Sequence, residues 1–265
     1  MAPGDISDCT PTAALVTPHP AHPQQRAAKQ QPAAPVLTST SGSAASDGNI
    51  NDANTKTVAD YLAAFPHLTD LDKRILALPS DDHFTPHSWT SLRQLIAAND
   101  LHLLTRSPSQ TRAYLDWTSD VRRRFGSITN YLLRERLRWT PAVQDEVQGI
   151  AFACADPTPF AHPDDFLVLR NDWPYGLDPG IVHICVWLKT PLDLKPEDGD
   201  LTDRARDQVE DFVTATFRVP LGEGTKGERV LWFKNWAQLQ SVRGVDHVHV
   251  LIKDAPPELL EGWMN

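Results

Sequence analysis

The feature that most constrains this chain is a run of strict alternation within Phe166–Lys189, namely Ile-Val-His-Ile-Cys-Val-Trp-Leu-Lys over residues 181–189. Read as a strand, it sets Val182, Ile184, Val186 and Leu188 on one side and His183, Cys185, Trp187 and Lys189 on the other. Two later stretches suit it as antiparallel partners, Val230–Asn235 (VLWFKN) and His247–Ile252 (HVHVLI). The second puts His247 and His249 on one face and Val248, Val250 and Ile252 on the other. One face of such a sheet is apolar enough for a core. The other, with its His, Trp and Lys, makes a floor for a site.

Helical signals come earlier. Residues 55–65 carry Val58, Tyr61, Leu62 and Phe65 on one stripe, and a short apolar segment spans Leu68–Leu78. Thr85-Pro86 has the form of an N-cap followed by proline at the first helical position, ahead of Trp89, Leu92, Leu95 and Ile96. Ser107-Pro108-Ser109-Gln110 is a capping box. It opens a helix that runs to about Arg138 on the stripe Tyr114, Trp117, Val121, Phe125, Ile128 and Leu132, with Gly126 placed to bend it or divide it in two. A further helix is expected over 200–217. Helices first and strands later predict an α+β fold, with N-terminal helices packed on one face of a mostly antiparallel sheet.

The first 54 residues hold seven of the 22 prolines and none of the aromatic residues. With so little apolar area, ordering them does not repay ~1–2 kcal/mol of backbone entropy per residue, so a disordered leader is expected. The remaining 55–265 suffice for one α+β domain, helical over 55–140 and sheet-containing over 141–265. A net charge of −9 argues against a nucleic-acid partner. No stretch reaches the ~20 apolar residues of a membrane span. Three cysteines without CxxC spacing fit a reducing, intracellular and cytoplasmic setting, the nucleus included. The Gly-rich LGEGTKGER (221–229) lacks the spacing of a phosphate-binding P-loop.

Several groups compete for a chemical role. Arg170-Asn171-Asp172-Trp173-Pro174-Tyr175 ends a strand and enters a turn, where Asn and Asp bond nearby backbone and Trp and Tyr pack. Asn171, Asp172, Trp173 and Tyr175 are equally candidate ligand-binding residues. His183, His247 and His249 would hold Zn²⁺ if they converged on one point, but no acidic fourth ligand stands at a telling distance, so no metal is assigned and the cofactor stays open. One of them is alternatively a nucleophile or general base on phosphorus. The arginines at 122–124, 134, 136 and 138 form a solvated face, or lend a guanidinium to a phosphate. Trp187 and Lys189 share the face of His183.

Asp172-Trp-Pro-Tyr, His183, Asn235, Gln240-Ser241-Val242 and His247-Val-His249-Val-Leu together resemble the histidine-triad nucleotide-binding proteins. Aligned by the Val-Leu ending, His247 falls at the attacking histidine, His249 at the last one and Val245 at the first. The resemblance implies that Asn235, Gln240, Ser241, His183 and His249 hold phosphate or ribose. A second resemblance covers about Tyr61–Lys253. RNDWPYGLDPGIVHICVWLK and WFKNWAQLQSVRGVDHVHVLI, with the helical Trp-x-x-Leu, Arg-Ser and Tyr-x-x-Trp motifs before them, resemble the fungal N-acetylglucosamine-induced protein family. That family carries no assigned catalytic residues. The expected function is a histidine-based phosphoryl or nucleotidyl hydrolase or transferase acting on a sugar phosphate or nucleotide sugar. The rival is a non-catalytic module binding a sugar, a nucleotide or a protein segment.

Overall fold

Four strands form the central sheet in the order β3-β4-β6-β5, all antiparallel: β3 (Phe166–Arg170), β4 (Ile181–Leu188), β5 (Val230–Phe233) and β6 (His247–Lys253). The computed structural model describes residues 56–145, 149–224 and 227–264, so the leader expected over 1–54 lies outside the described residues. Helices α1 (Val58–Ala64), α2 (Asp70–Leu76), α3 (Trp89–Ala97), α4 (Pro108–Phe125) and α5 (Ile128–Tyr131) come first, and α5 runs on as a π-helical turn over Leu132–Leu137. A two-stranded hairpin, β1 (Val143–Asp145) with β2 (Gly149–Ala151), precedes the sheet. Helix α6 (Asp203–Val213) links β4 to β5, and α7 (Pro257–Trp263) follows β6. The class is α+β.

Register decides which side chains meet. Cys185 lies opposite His249, Trp187 opposite His247, His183 opposite Leu251 and Phe233 opposite His249. The alternation then separates two layers. Val168, Ile184, Val186, Leu188, Val230, Val248, Val250 and Ile252 pack against Ala205, Val209, Val213 and Phe217 of the α6 region. On the opposite face, Leu169, Cys185 and Trp187 pack against Val121, Ile128, Leu132 and Leu133, while Phe233 and Leu251 meet Leu92, Leu101 and Leu104. Helices thus cover both faces of the sheet rather than one. The physical reason is that the histidine face also carries Trp187, Phe233 and Leu251, which leaves too much apolar area for water to face.

Local signals account for most helix starts. Thr57, Thr69 and Ser107 each form a reciprocal capping box with Asp60, Asp72 and Gln110. Gly126, at φ 79°, closes α4 and divides the long helix from α5. The start expected at Thr85-Pro86 falls instead at Trp89, capped by Ser88. His87 is engaged elsewhere, its N–H donating to the Gly176 carbonyl at 2.8 Å and its carbonyl accepting from Asp178 N at 3.1 Å. The backbone there is extended because it pairs with another segment.

Candidate functional site

A cavity of about 230 Å³ opens on the histidine face of the sheet. Its floor is Cys185 and Trp187 of β4 with His247 and His249 of β6. One wall is aromatic. Tyr114 and Trp117 of α4 stack at 5.9 Å, Trp173 lies 5.2 Å from Trp117, and Tyr131 meets Trp117 edge-on at 5.5 Å. The opposite rim comes from the segment after β5, with Asn235, Ser241 and Val242. The Tyr114 hydroxyl donates to Ser241 Oγ at 2.7 Å, joining wall to rim.

Hydrogen bonds within and around it hold the segment 171–176. Asn171 N donates to the His183 carbonyl at 2.9 Å, and Asn171 Oδ1 accepts from Trp173 N at 2.9 Å. The Trp173 carbonyl accepts from Arg106 Nη2 at 2.7 Å, and Gly176 N donates to the Thr105 carbonyl at 2.8 Å. Asn171 therefore performs the turn chemistry that its type suggests. A Cβ at Gly176 would fall 2.4 Å from the Phe84 ring, so a larger residue there forces that ring to move.

Arg106, Arg136 and Arg170 line this cavity. Arg136, on the π-helical turn, pairs with Asp172 at 2.8 Å, and both side chains are largely buried. Burial pushes the Asp172 carboxyl above its usual value, and Arg136 pulls it back only in part. Arg106 lies 4.5 Å from the Tyr114 ring centre and 5.2 Å from that of Tyr175. It forms no ion pair among the described residues, and its Nε is buried without a hydrogen-bond partner there.

The three histidines are all buried, at 3–6% exposure. They divide into two environments. His183 Nε2 lies 2.9 Å from His249 Nδ1, and Cys185 Sγ lies 3.4 Å from that same Nδ1. His249 stacks on Phe233 at 4.8 Å, with its Nε2 3.2 Å from Asn235 Nδ2. His247 meets the His249 ring edge-on at 5.1 Å, stacks on Trp187 at 4.3 Å, and has Nδ1 3.0 Å from the Val245 carbonyl. That carbonyl can only accept, so the proton sits on Nδ1 and Nε2 presents a lone pair.

Burial keeps all three imidazoles neutral. It pushes His183 down to about 3, with Arg106 and His247 adding to the effect. It takes His247 to about 4 against the pull of the Val245 carbonyl, and His249 well below its ordinary value, where the neighbouring His183 adds to the effect. Burial also raises the Cys185 thiol, and Asp172 reinforces it.

Most of the residues singled out from sequence come together here. Asn171, Asp172, Trp173, Tyr175, Trp187, Asn235, Ser241, His247 and His249 line the cavity. His183 sits behind His249. Gln240 does not line it and instead donates from Nε2 to the Asn235 carbonyl at 2.7 Å. Lys189 points away to Asp165 at 3.7 Å and lies 5.6 Å from the Trp139 ring centre. The reason is that β4 ends at Leu188, and the buried Asp165 draws the ammonium. Arg106, Tyr114, Trp117, Tyr131 and Cys185 were not singled out as site residues. Only Cys185 carried a signal, sharing the strand face of His183; the aromatics read as an ordinary core stripe.

An α+β domain with an aromatic, arginine-bearing cavity over a histidine-rich sheet face matches a family already described by sequence. Residues 88–253 match the model for the proteins of unknown function termed DUF3605, and the chain belongs to that family. It is 30% identical over 187 residues to N-acetylglucosamine-induced protein 1 of Candida albicans, covering 66% of this chain and 72% of that protein. It is also 30% identical over 166 residues to the uncharacterized protein YPL067C of Saccharomyces cerevisiae, covering 62% and 77%. A solved structure titled Crystal Structure of HTC1 superposes with a TM-score of 0.51 at 26% identity, covering 66% of this chain and 91% of that one. No helix among the described residues is long and apolar enough to cross a membrane.

Proposed function

We propose that the chain is a cytoplasmic hydrolase or transferase acting on a small phosphorylated sugar or nucleotide sugar, with His247 as its proton-accepting or attacking group. The observation that carries this reading is the state of His247. Its Nδ1 proton is committed to Val245, and the residue lines a cavity that also holds Arg106, a cation with no acidic neighbour at ion-pair distance among the described residues. An unneutralised guanidinium fixed between two tyrosines suits an anionic ligand. Trp117 and Trp173 suit a sugar or base that stacks. The name of the Candida relative, an N-acetylglucosamine-induced protein, adds amino sugars to the compounds worth testing.

For hydrolysis, phosphate oxygens would bind Arg106 while Nε2 takes a proton from the attacking water. The new oxygen–phosphorus bond forms as the ester bond breaks, and the proton passes from Nε2 to the leaving oxygen. A bound phosphate dianion raises the basicity of His247 when it is needed. Transfer differs only in that a hydroxyl replaces water.

The test compares the native protein with His247→Ala and the bulkier His247→Gln on a panel of amino-sugar phosphates and nucleotide sugars. Turnover is expected in the native protein and should fall by roughly 10²-fold or more in both variants. His247→Gln should keep the native thermal midpoint within a few degrees. Binding without turnover would favour a regulatory module using the same cavity. Neither binding nor turnover would remove the enzyme reading.

A further inference from the structure

We infer that His183, Cys185 and His249 form a mononuclear site for a zinc-class divalent ion, with a fourth coordination position open to the cavity. His183 Nε2 and Cys185 Sγ both face His249 Nδ1, at 2.9 and 3.4 Å, and the ligand atoms of all three residues lie within 4.8 Å of one another. With zinc–nitrogen bonds of about 2.0–2.1 Å and zinc–sulfur bonds of about 2.3 Å, tetrahedral ligands stand ~3.3 Å apart for two nitrogens and ~3.6 Å for nitrogen and sulfur. The two pairs that share His249 Nδ1 need displacements of a few tenths of an ångström, and His183 Nε2 and Cys185 Sγ, within 4.8 Å of each other, close by up to ~1.2 Å to admit the ion.

The sheet builds this trio. His183 and Cys185 are alternate residues on one face of β4, and Cys185 is the direct cross-strand partner of His249. All three are buried, yet Cys185 and His249 also line the cavity. Three protein ligands with an open fourth position is the arrangement of a site that binds water or substrate rather than a closed structural one. Two imidazoles and one sulfur favour zinc over magnesium or calcium, which take oxygen ligands.

The surroundings of His249 suit a metal-binding imidazole, while His183, with the Asn171 amide nitrogen 3.3 Å from both its ring nitrogens, has to move off that donor to ligate. For Nδ1 of His249 to ligate, Nε2 must carry the proton and find an acceptor. Asn235 stands there, its amide nitrogen placed 3.2 Å from Nε2 and 3.3 Å from the Tyr175 hydroxyl, while its Oδ1 is buried without a partner among the described residues. Nitrogen and oxygen of an amide are assigned from the hydrogen-bond network. Turning the amide over lets Oδ1 accept from both His249 Nε2–H and the tyrosine O–H. On binding, the Cys185 thiol gives its proton to solvent and the thiolate sulfur bonds the ion, so the site carries a net charge of +1.

Metal content and spectroscopy test this without an assay of activity. Protein produced with added zinc is expected to retain close to one zinc per chain, and its thermal midpoint should fall by several degrees on chelation. Cobalt(II) should give tetrahedral ligand-field bands and a thiolate charge-transfer band. Cys185→Ser should abolish the charge-transfer band, and His249→Asn should lower the affinity by 10-fold or more. His247→Gln should leave metal content and both spectra unchanged, even where it removes turnover, which separates this inference from the proposed reaction. Absence of retained zinc together with absence of a thiolate–cobalt band in the folded native protein would overturn it. So would a charge-transfer band that survives in Cys185→Ser.

Discussion

Arg106 combines two demands that usually oppose each other. Its guanidinium is held by the Trp173 carbonyl and by two tyrosine faces, yet it has no carboxylate to neutralise it at ion-pair distance among the described residues. A charge kept in that state is stabilised most by an arriving anion. Arg106→Gln is therefore expected to weaken phosphate-ester binding by ~10–100-fold, as loss of charge-assisted hydrogen bonds worth ~1.5–3 kcal/mol implies. Titration calorimetry with a sugar phosphate checks it, and unchanged affinity would show that the anion binds elsewhere. Residue identity alone suggested three histidines as one cluster. Register is what replaces His247 by Cys185 beside His183 and His249, because Cys185 lies opposite His249 and His247 lies opposite Trp187. Alternation reveals faces, but pairing depends on which strands meet and at what offset.

The segment between β3 and β4 shows how elements cooperate to shape the cavity. Gly176 threads between Phe84 and the start of α4, and the backbone on either side of it carries Tyr175 and bonds His87. Gly176→Ala is expected to cost ~1–3 kcal/mol as the Phe84 ring gives way. Because Trp173 and Tyr175 ride on this segment, ligand affinity should fall along with the urea midpoint. A variant with lowered stability and native affinity would show that the segment adjusts without moving those rings. The strands, α4 with its capping box and the α+β order were legible because each rests on local signals: alternation, Ser107 with Gln110, and Gly126. The false start at Thr85-Pro86 had equally good local chemistry, and a long-range pairing of His87 with residues 176–178 overruled it. The β1–β2 hairpin gave little to read, since Val143–Asp145 is exposed throughout and too short to alternate visibly. The aromatic wall was hidden differently. Tyr114 and Trp117 sit on a helical stripe like any core residue, and only the tertiary fold leaves them facing a void.

Four histidines, His87, His183, His247 and His249, are held in the neutral form at the scale of the whole molecule, and this sets its response to acid. His183 and His247 titrate at about 3 and about 4 in the folded state, and His249 and His87 are also lowered, in each case chiefly by burial. His87 adds a specific penalty, because its Nε2 accepts from Thr105 N at 3.0 Å and loses that bond when protonated. In the unfolded chain all four take up protons near pH 6.5. Below that pH the unfolded state binds protons that the folded state refuses, so the stability contributed by neutral burial is complete above about 6.5 and is lost as pH falls toward the folded values. The loss is ~1.4 kcal/mol per pH unit for each such histidine. For His183 and His247 alone it reaches ~5 kcal/mol by pH 4.5, comparable with the ~5–15 kcal/mol that holds a domain of this kind together. With bound metal first removed by chelation, the thermal midpoint is expected to be level between pH 7 and 8 and to fall steeply between pH 6 and 4.5. His247→Gln removes one titrating group, so its profile should decline less steeply, by ~1.4 kcal/mol per pH unit, whatever its stability at pH 7. Equal slopes in the two proteins would mean that His247 exchanges protons freely in the folded state. A midpoint unchanged down to pH 4.5 would mean that water reaches all of them.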